Sequence, residues 1–180
     1  MHGIVNQAIE GLVIDNFGQE TWEAIKLKSQ VMETVFLNNE PYPDKITYDL
    51  VLAANEITKM PVDQILQAFG EYWVLKTGME KYGALLTAGG ENLKEFLVNL
   101  PNFHSRIMLM YPKLAPPSFL VENIQDRSLE LHYMSHRPGL KDFVLGLIQG
   151  LGKMYETPVT SKVLQSRDEG ADHEVFLIAW

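Results

Sequence analysis

The sequence predicts an α+β fold: a helical N-terminal subdomain followed by a C-terminal antiparallel sheet with helices. Three observations carry that prediction. Apolar residues recur every three to four positions up to about residue 111. Pro112, Pro116 and Pro117 then end the helical pattern. Beyond them, short stretches alternate apolar and polar residues between turn signals. At 180 residues the chain suits one domain, with a helical half over about 1–111 and an α+β half over about 118–180.

Residues 4–17 place Val5, Ile9, Leu12 and Val13 on one helical stripe, and Gly18 follows as a stop. A second helix over 21–28 carries Trp22 and Ile25. Pro41 and Pro43 mark a loop over 38–44, and Asp44 is expected to cap a third helix reaching about residue 60. The inner face of that helix is Leu50, Val51, Ala54 and Ile57. Pro61 suits the first turn of a fourth helix, which repeats Ile65, Phe69 and Tyr72/Trp73 to about residue 77. Gly89 and Gly90 break the chain. The next helix starts near Asn92, is kinked or restarted at Pro101, and continues to Tyr111. Past the prolines, 119–137 reads as two strands about a turn at Gln125 and Asp126, and 140–155 as a helix. Residues 159–165 and 174–179 read as strands about a turn at Gly170, and no internal repeat is visible.

Composition removes several function classes. A net charge of −8 without a Lys/Arg run disfavours binding to phosphate backbones, so no nucleic-acid partner is expected. The absence of cysteine removes disulfides, zinc-thiolate sites and thiol catalysis. No apolar run approaches the roughly 18 residues needed to span a bilayer, and the N-terminus lacks a basic leader. The expected setting is therefore cytoplasmic, with no membrane association. HExxH, GxSxG, P-loop and GxGxxG motifs are all missing, so no enzyme is expected.

His104 is the first candidate for chemistry. It lies among Leu100, Phe103, Ile107, Met108 and Tyr111 on a helical stripe, where an imidazole without a partner is costly. It reads either as a core histidine bonded to a carbonyl or trapped water, or as an axial ligand held in apolar surroundings. The second candidate is a strand face of Leu129, Leu131, Tyr133, Ser135 and Arg137. It runs from apolar residues to phenol, hydroxyl and guanidinium, suited to the carboxylates of a ligand with an apolar body. The alternative is a half-exposed strand end with ordinary surface polarity. Pro116 and Pro117 read as a connector. His132 and His136 share the opposite strand face and lack a carboxylate at ligand spacing, which disfavours a metal site. His2 and His173 read as terminal and turn residues.

Taken in order and spacing, His104, Pro117 and the Tyr133-x-Ser135-x-Arg137 triplet resemble the haem–nitric oxide/oxygen binding family (H-NOX). This is the sensor domain that also forms the haem region of soluble guanylate cyclase. Thr21-Trp22-Glu23-Ala24-Ile25, Ala68-Phe69-Gly70-Glu71-Tyr72-Trp73 and Leu145-Gly146-Leu147-Ile148 fit the same pattern, so the resemblance spans essentially the whole chain.

The resemblance implies a haem b buried between the two halves, with His104 as proximal iron ligand and Tyr133, Ser135 and Arg137 on the propionates. Pro117 would press on the porphyrin from one side and Val5 from the other. A ligating imidazole must be neutral, so ligation is expected to weaken as pH falls. Trp73, Phe143 and Leu147 would form the distal pocket. Phe143 stands where oxygen-binding members carry a tyrosine, whose hydroxyl would stabilise bound O2. The implied ligands are NO and CO at ferrous iron, with poor O2 affinity. The implied signal is weakening of the bond to His104 by NO, followed by movement of haem and subdomains. A histidine kinase or a cyclic-dinucleotide signalling enzyme acting in trans is the implied partner. The other reading is a non-sensing module for another apolar carboxylate or tetrapyrrole, using the Tyr133 face without His104. The chain ends at Trp180 within a predicted strand, as a stand-alone sensor or a piece of a longer protein.

Overall fold

The structure is a computed structural model that describes residues 1–110 and 116–180. The predicted helix end at Tyr111 and the break at Pro112 lie outside the described residues. The N-terminal part contains α1 (Gly3–Phe17), α2 (Gln19–Ser29), α3 (Asp44–Thr58), α4 (Val62–Tyr72), α5 (Met79–Thr87) and α6 (Leu93–Met110). The C-terminal part contains β1 (Ser118–Glu122), β2 (Ser128–Met134), α7 (Lys141–Met154), β3 (Thr160–Gln165) and β4 (Glu174–Ala179). The four strands form an antiparallel sheet in the order β1-β2-β4-β3. The chain is thus α+β, as its apolar patterning predicts. No helix among the described residues is long and apolar enough to cross a membrane.

Four local features depart from the sequence reading. Asp44 does not cap α3: Pro43 holds the N-cap position, and the Asp44 side chain makes no cap bond. Its carboxylate is drawn instead to two cations, the Met1 amino group and the Arg137 guanidinium. Pro101 does not restart α6, which runs through it. The missing proline N–H forfeits one ladder bond, and the packing of Leu97, Leu100 and Phe103 outweighs that loss. The fourth helix changes character at Trp73, where Trp73–Gly78 winds as a π-helical turn. A 3.6-residue pattern does not reveal the extra residue of a wider turn. Finally, β2 stops at Met134, short of the predicted 137. Pro138 lacks a ladder donor and Gly139 adopts φ +71°, so Ser135 and Arg137 fall in the loop that follows.

Two apolar clusters fill the interior. Ile9, Trp22, Ile25, Phe36 and Leu50 lie at the heart of the helical one. Leu97, Leu129, Leu131, Phe176 and Ile178 lie at the heart of the one beneath the sheet. Trp73 packs against both. Helices α4 and α7 run against each other with their backbones nearly touching. A Cβ on Gly70 would lie 2.2 Å from the Phe143 carbonyl oxygen, and one on Gly146 would lie 2.0 Å from that of Gln67. Only glycine permits this approach. The crossing brings Phe69 and Phe143 together, with ring centroids 4.6 Å apart.

Candidate functional site

A cavity of about 250 Å3 lies between the two clusters. Helix α6 and the start of the sheet half supply one part of its wall through Leu100, Phe103, His104, Pro117 and Phe119. Helices α1, α4 and α7 with the π-helical turn supply another, through Val5, Phe69, Trp73, Phe143 and Leu147. Tyr133 and Arg137 also line the cavity. Nearly every residue singled out in the sequence therefore converges on one space. Ser135 is not part of the lining, and its hydroxyl accepts the Arg137 main-chain N–H at 3.1 Å.

His104 is partly buried on α6, with its ring 4.7 Å from that of Phe119. Its Nδ1 lies 3.1 Å from the Leu100 carbonyl oxygen, one turn back. A carbonyl only accepts, so Nδ1 carries the proton and Nε2 presents a lone pair. Nε2 has no hydrogen-bond partner among the described residues. Burial pushes the imidazole pKa below its ordinary value, and the bond to Leu100 only partly opposes this, so the ring is neutral near pH 7. The bland reading of a core histidine is thus met at one nitrogen and leaves the other open.

Strand β2 turns Leu129, Leu131 and Tyr133 inward. Burial raises the Tyr133 phenol pKa, while a hydrogen bond with Ser135 and the charges of Arg137 and Arg167 pull against that rise. The phenol stays protonated and can donate. Arg137 Nε donates to Asp44 Oδ2 at 2.9 Å. Burial alone would raise the Asp44 carboxyl, but hydrogen bonds from the Met1 amino group and Arg137 outweigh it and hold its pKa below the usual range. The loop after β2 is gripped from outside as well. Tyr48 Oη donates to the Pro138 carbonyl at 2.8 Å, and Arg167 Nη1 donates to that of Ser135 at 3.0 Å.

Several participants escaped sequence reasoning. His2, read as a terminal residue, is buried at the N-cap of α1, bridges to Pro41 and lines the cavity. That bridge spans a loop whose path no local pattern reveals. Thr47, Tyr48 and Tyr82 also reach the cavity. A signal for the first two was present, since they lie three and four residues past Asp44, on the same side of α3. Away from the cavity, His132 pairs with His173 across the sheet (Nδ1 to Nε2, 2.9 Å) rather than sharing a site with exposed His136. Among the described residues no group of three or more His, Asp or Glu side chains is placed to hold a metal ion.

A neutral imidazole whose Nε2 has no partner among the described residues, an apolar cavity, and a phenol and guanidinium at its edge suit an axial ligand, a flat apolar body and two carboxylates. The sequence matches the family described as Haem-NO-binding over residues 2–163. The chain belongs to that family. It is one of haem-binding, gas-sensing domains related to soluble guanylate cyclase, and the domain is a sensor rather than a catalyst.

Among curated relatives, soluble guanylate cyclase gcy-31 of Caenorhabditis elegans is 27% identical over 98% of this chain and 25% of its own length. Soluble guanylate cyclase gcy-32 of the same worm is 32% identical over 99% of this chain and 28% of its own. The chain thus spans about a quarter of the length of these relatives. Among solved structures, the Fe(II) unliganded H-NOX protein from K. algicida superposes with a TM-score of 0.87 at 25% identity, covering 99% of this chain and 96% of that one. The H-NOX protein from S. oneidensis in the Fe(II)NO state superposes at 0.90 with 18% identity, covering 99% and 98%, a likeness of fold.

Proposed function

We propose that this chain holds haem b through His104 and senses NO, with CO as a second ligand and O2 taken poorly. The observation that carries the reading is the committed Nδ1 and open Nε2 of a neutral imidazole in an apolar cavity. When bound, an iron porphyrin would supply the gas-binding site, and His104 would hold its iron. The chain's own residues do the rest. The Leu100 carbonyl fixes the tautomer and raises the basicity of Nε2. Tyr133, Ser135 and Arg137 receive the propionates, for which Arg137 must exchange or share its bond with Asp44. Pro117 and Val5, which line the cavity from its two walls, would press on the porphyrin.

Phe143, Trp73 and Leu147 make the gas pocket apolar, and Phe143 offers no hydroxyl to a bound O2. The Trp73 indole N–H is the one donor among these three. Loss of the bond to His104 would free α6 to shift against α1 and α4 across the cavity. A histidine kinase or cyclic-dinucleotide enzyme acting in trans, or a cyclase module like those that name the relatives, would read that shift. The domain is proposed to be one sensor unit over 1–180, working in the cytoplasm.

Optical titration of the reduced protein with NO, CO and air tests this reading. A Soret band that moves with NO and CO but not with air is expected. A colourless protein that binds fatty acid would favour the carboxylate-binding module instead.

A further inference from the structure

The loop after β2 depends on a residue far along the chain. Arg167 Nη1 lies 3.0 Å from the Ser135 carbonyl oxygen and 3.4 Å from that of Arg137. Arg167 sits in the connection between β3 and β4, and that connection is itself braced. The Arg167 main-chain N–H donates to the buried Glu174 carboxylate at 3.3 Å. The Asp168 N–H donates to the buried Ser166 hydroxyl at 3.2 Å, and the Asp168 carboxylate takes Lys141 Nζ at 2.8 Å. Arg167 thus reaches the loop from a fixed base.

We propose that Arg167 is a positioning residue for the carboxylate clamp, holding the carbonyls of Ser135 and Arg137 so that this loop keeps the Arg137 guanidinium at the cavity edge. The inference rests on the reading of Tyr133, Ser135 and Arg137 as the propionate clamp. A planar guanidinium presents several donors in a fixed fork and can span two carbonyls, whereas an ammonium is a point charge. The Arg167 charge is also close enough to act on the Tyr133 and Tyr48 phenols, so it adds positive potential where two carboxylates would lie.

The test is the rate of porphyrin loss from the ferric protein to an excess of a haem-acceptor protein. It is followed at the Soret band for iron protoporphyrin IX and for its dimethyl ester, which has no carboxylates. Arg167→Gln is expected to accelerate loss of the free acid by roughly tenfold, the effect of losing a charge-assisted hydrogen bond, and to leave loss of the ester unchanged. Arg167→Lys keeps the charge and should stay accelerated. Equal acceleration for acid and ester would mark a general structural defect and overturn the proposal, as would full rescue by Arg167→Lys. Acceleration in Arg137→Gln with none in Arg167→Gln overturns the Arg167 role alone. No acceleration in either variant overturns the clamp beneath it.

Discussion

Phe143 shows how much one side chain decides. Its ring packs 4.6 Å from Phe69 on the cavity wall and carries no donor. Phe143→Tyr is expected to raise O2 affinity on the order of tenfold, the worth of about one hydrogen bond of 1–1.5 kcal/mol. Absorbance of the reduced protein under graded O2 checks this; unchanged affinity would place the gas elsewhere. His104, Tyr133 and Arg137 were legible as residues because each breaks an otherwise apolar pattern. Which nitrogen of His104 is free was not legible, since that depends on the Leu100 carbonyl one turn away. Arg167 was invisible in the sequence because its partners are main-chain oxygens about 30 residues back.

The α4–α7 crossing sets the pocket at the scale of elements. Gly146→Ala places a carbon 2.0 Å from the Gln67 carbonyl oxygen, and backbone cannot yield as a side chain can. The substitution should destabilise the fold by roughly 1–3 kcal/mol, read from urea unfolding. Gly83→Ala is the control, because its added carbon meets only the Met79 side chain at 3.8 Å. It should leave stability unchanged or slightly raised. Helices α3 and α4 followed from periodicity because their stripes face one apolar cluster. The π-helical turn at Trp73–Gly78 did not, since a single wider turn leaves too little sequence to alter the period. The end of β2 was overestimated because alternation continues through Ser135 and Arg137 after the ladder has stopped.

Across the whole molecule, the helical and sheet halves meet at the cavity and are pinned at its edge by Asp44–Arg137 and Tyr48–Pro138. The Asp44 carboxyl titrates below its ordinary 3.8 in the folded state, so its stabilisation is present above pH 3.8 and is lost as pH falls below that value. Asp44→Asn should lower stability at neutral pH and flatten the acid limb of the stability profile; an unaltered limb would show that the pair does not join the halves. The link also predicts that filling the proposed clamp would be felt in α3, because propionates would compete with Asp44 for one guanidinium.

The central claim is that His104 Nε2 bonds the iron, and the most direct measurement is the Soret spectrum and porphyrin content of His104→Gly with and without added imidazole. The account predicts weak retention of porphyrin without imidazole, and recovery of both content and a histidine-like Soret band when imidazole fills the vacated space. Unchanged content and an unchanged band in the variant without imidazole would contradict it.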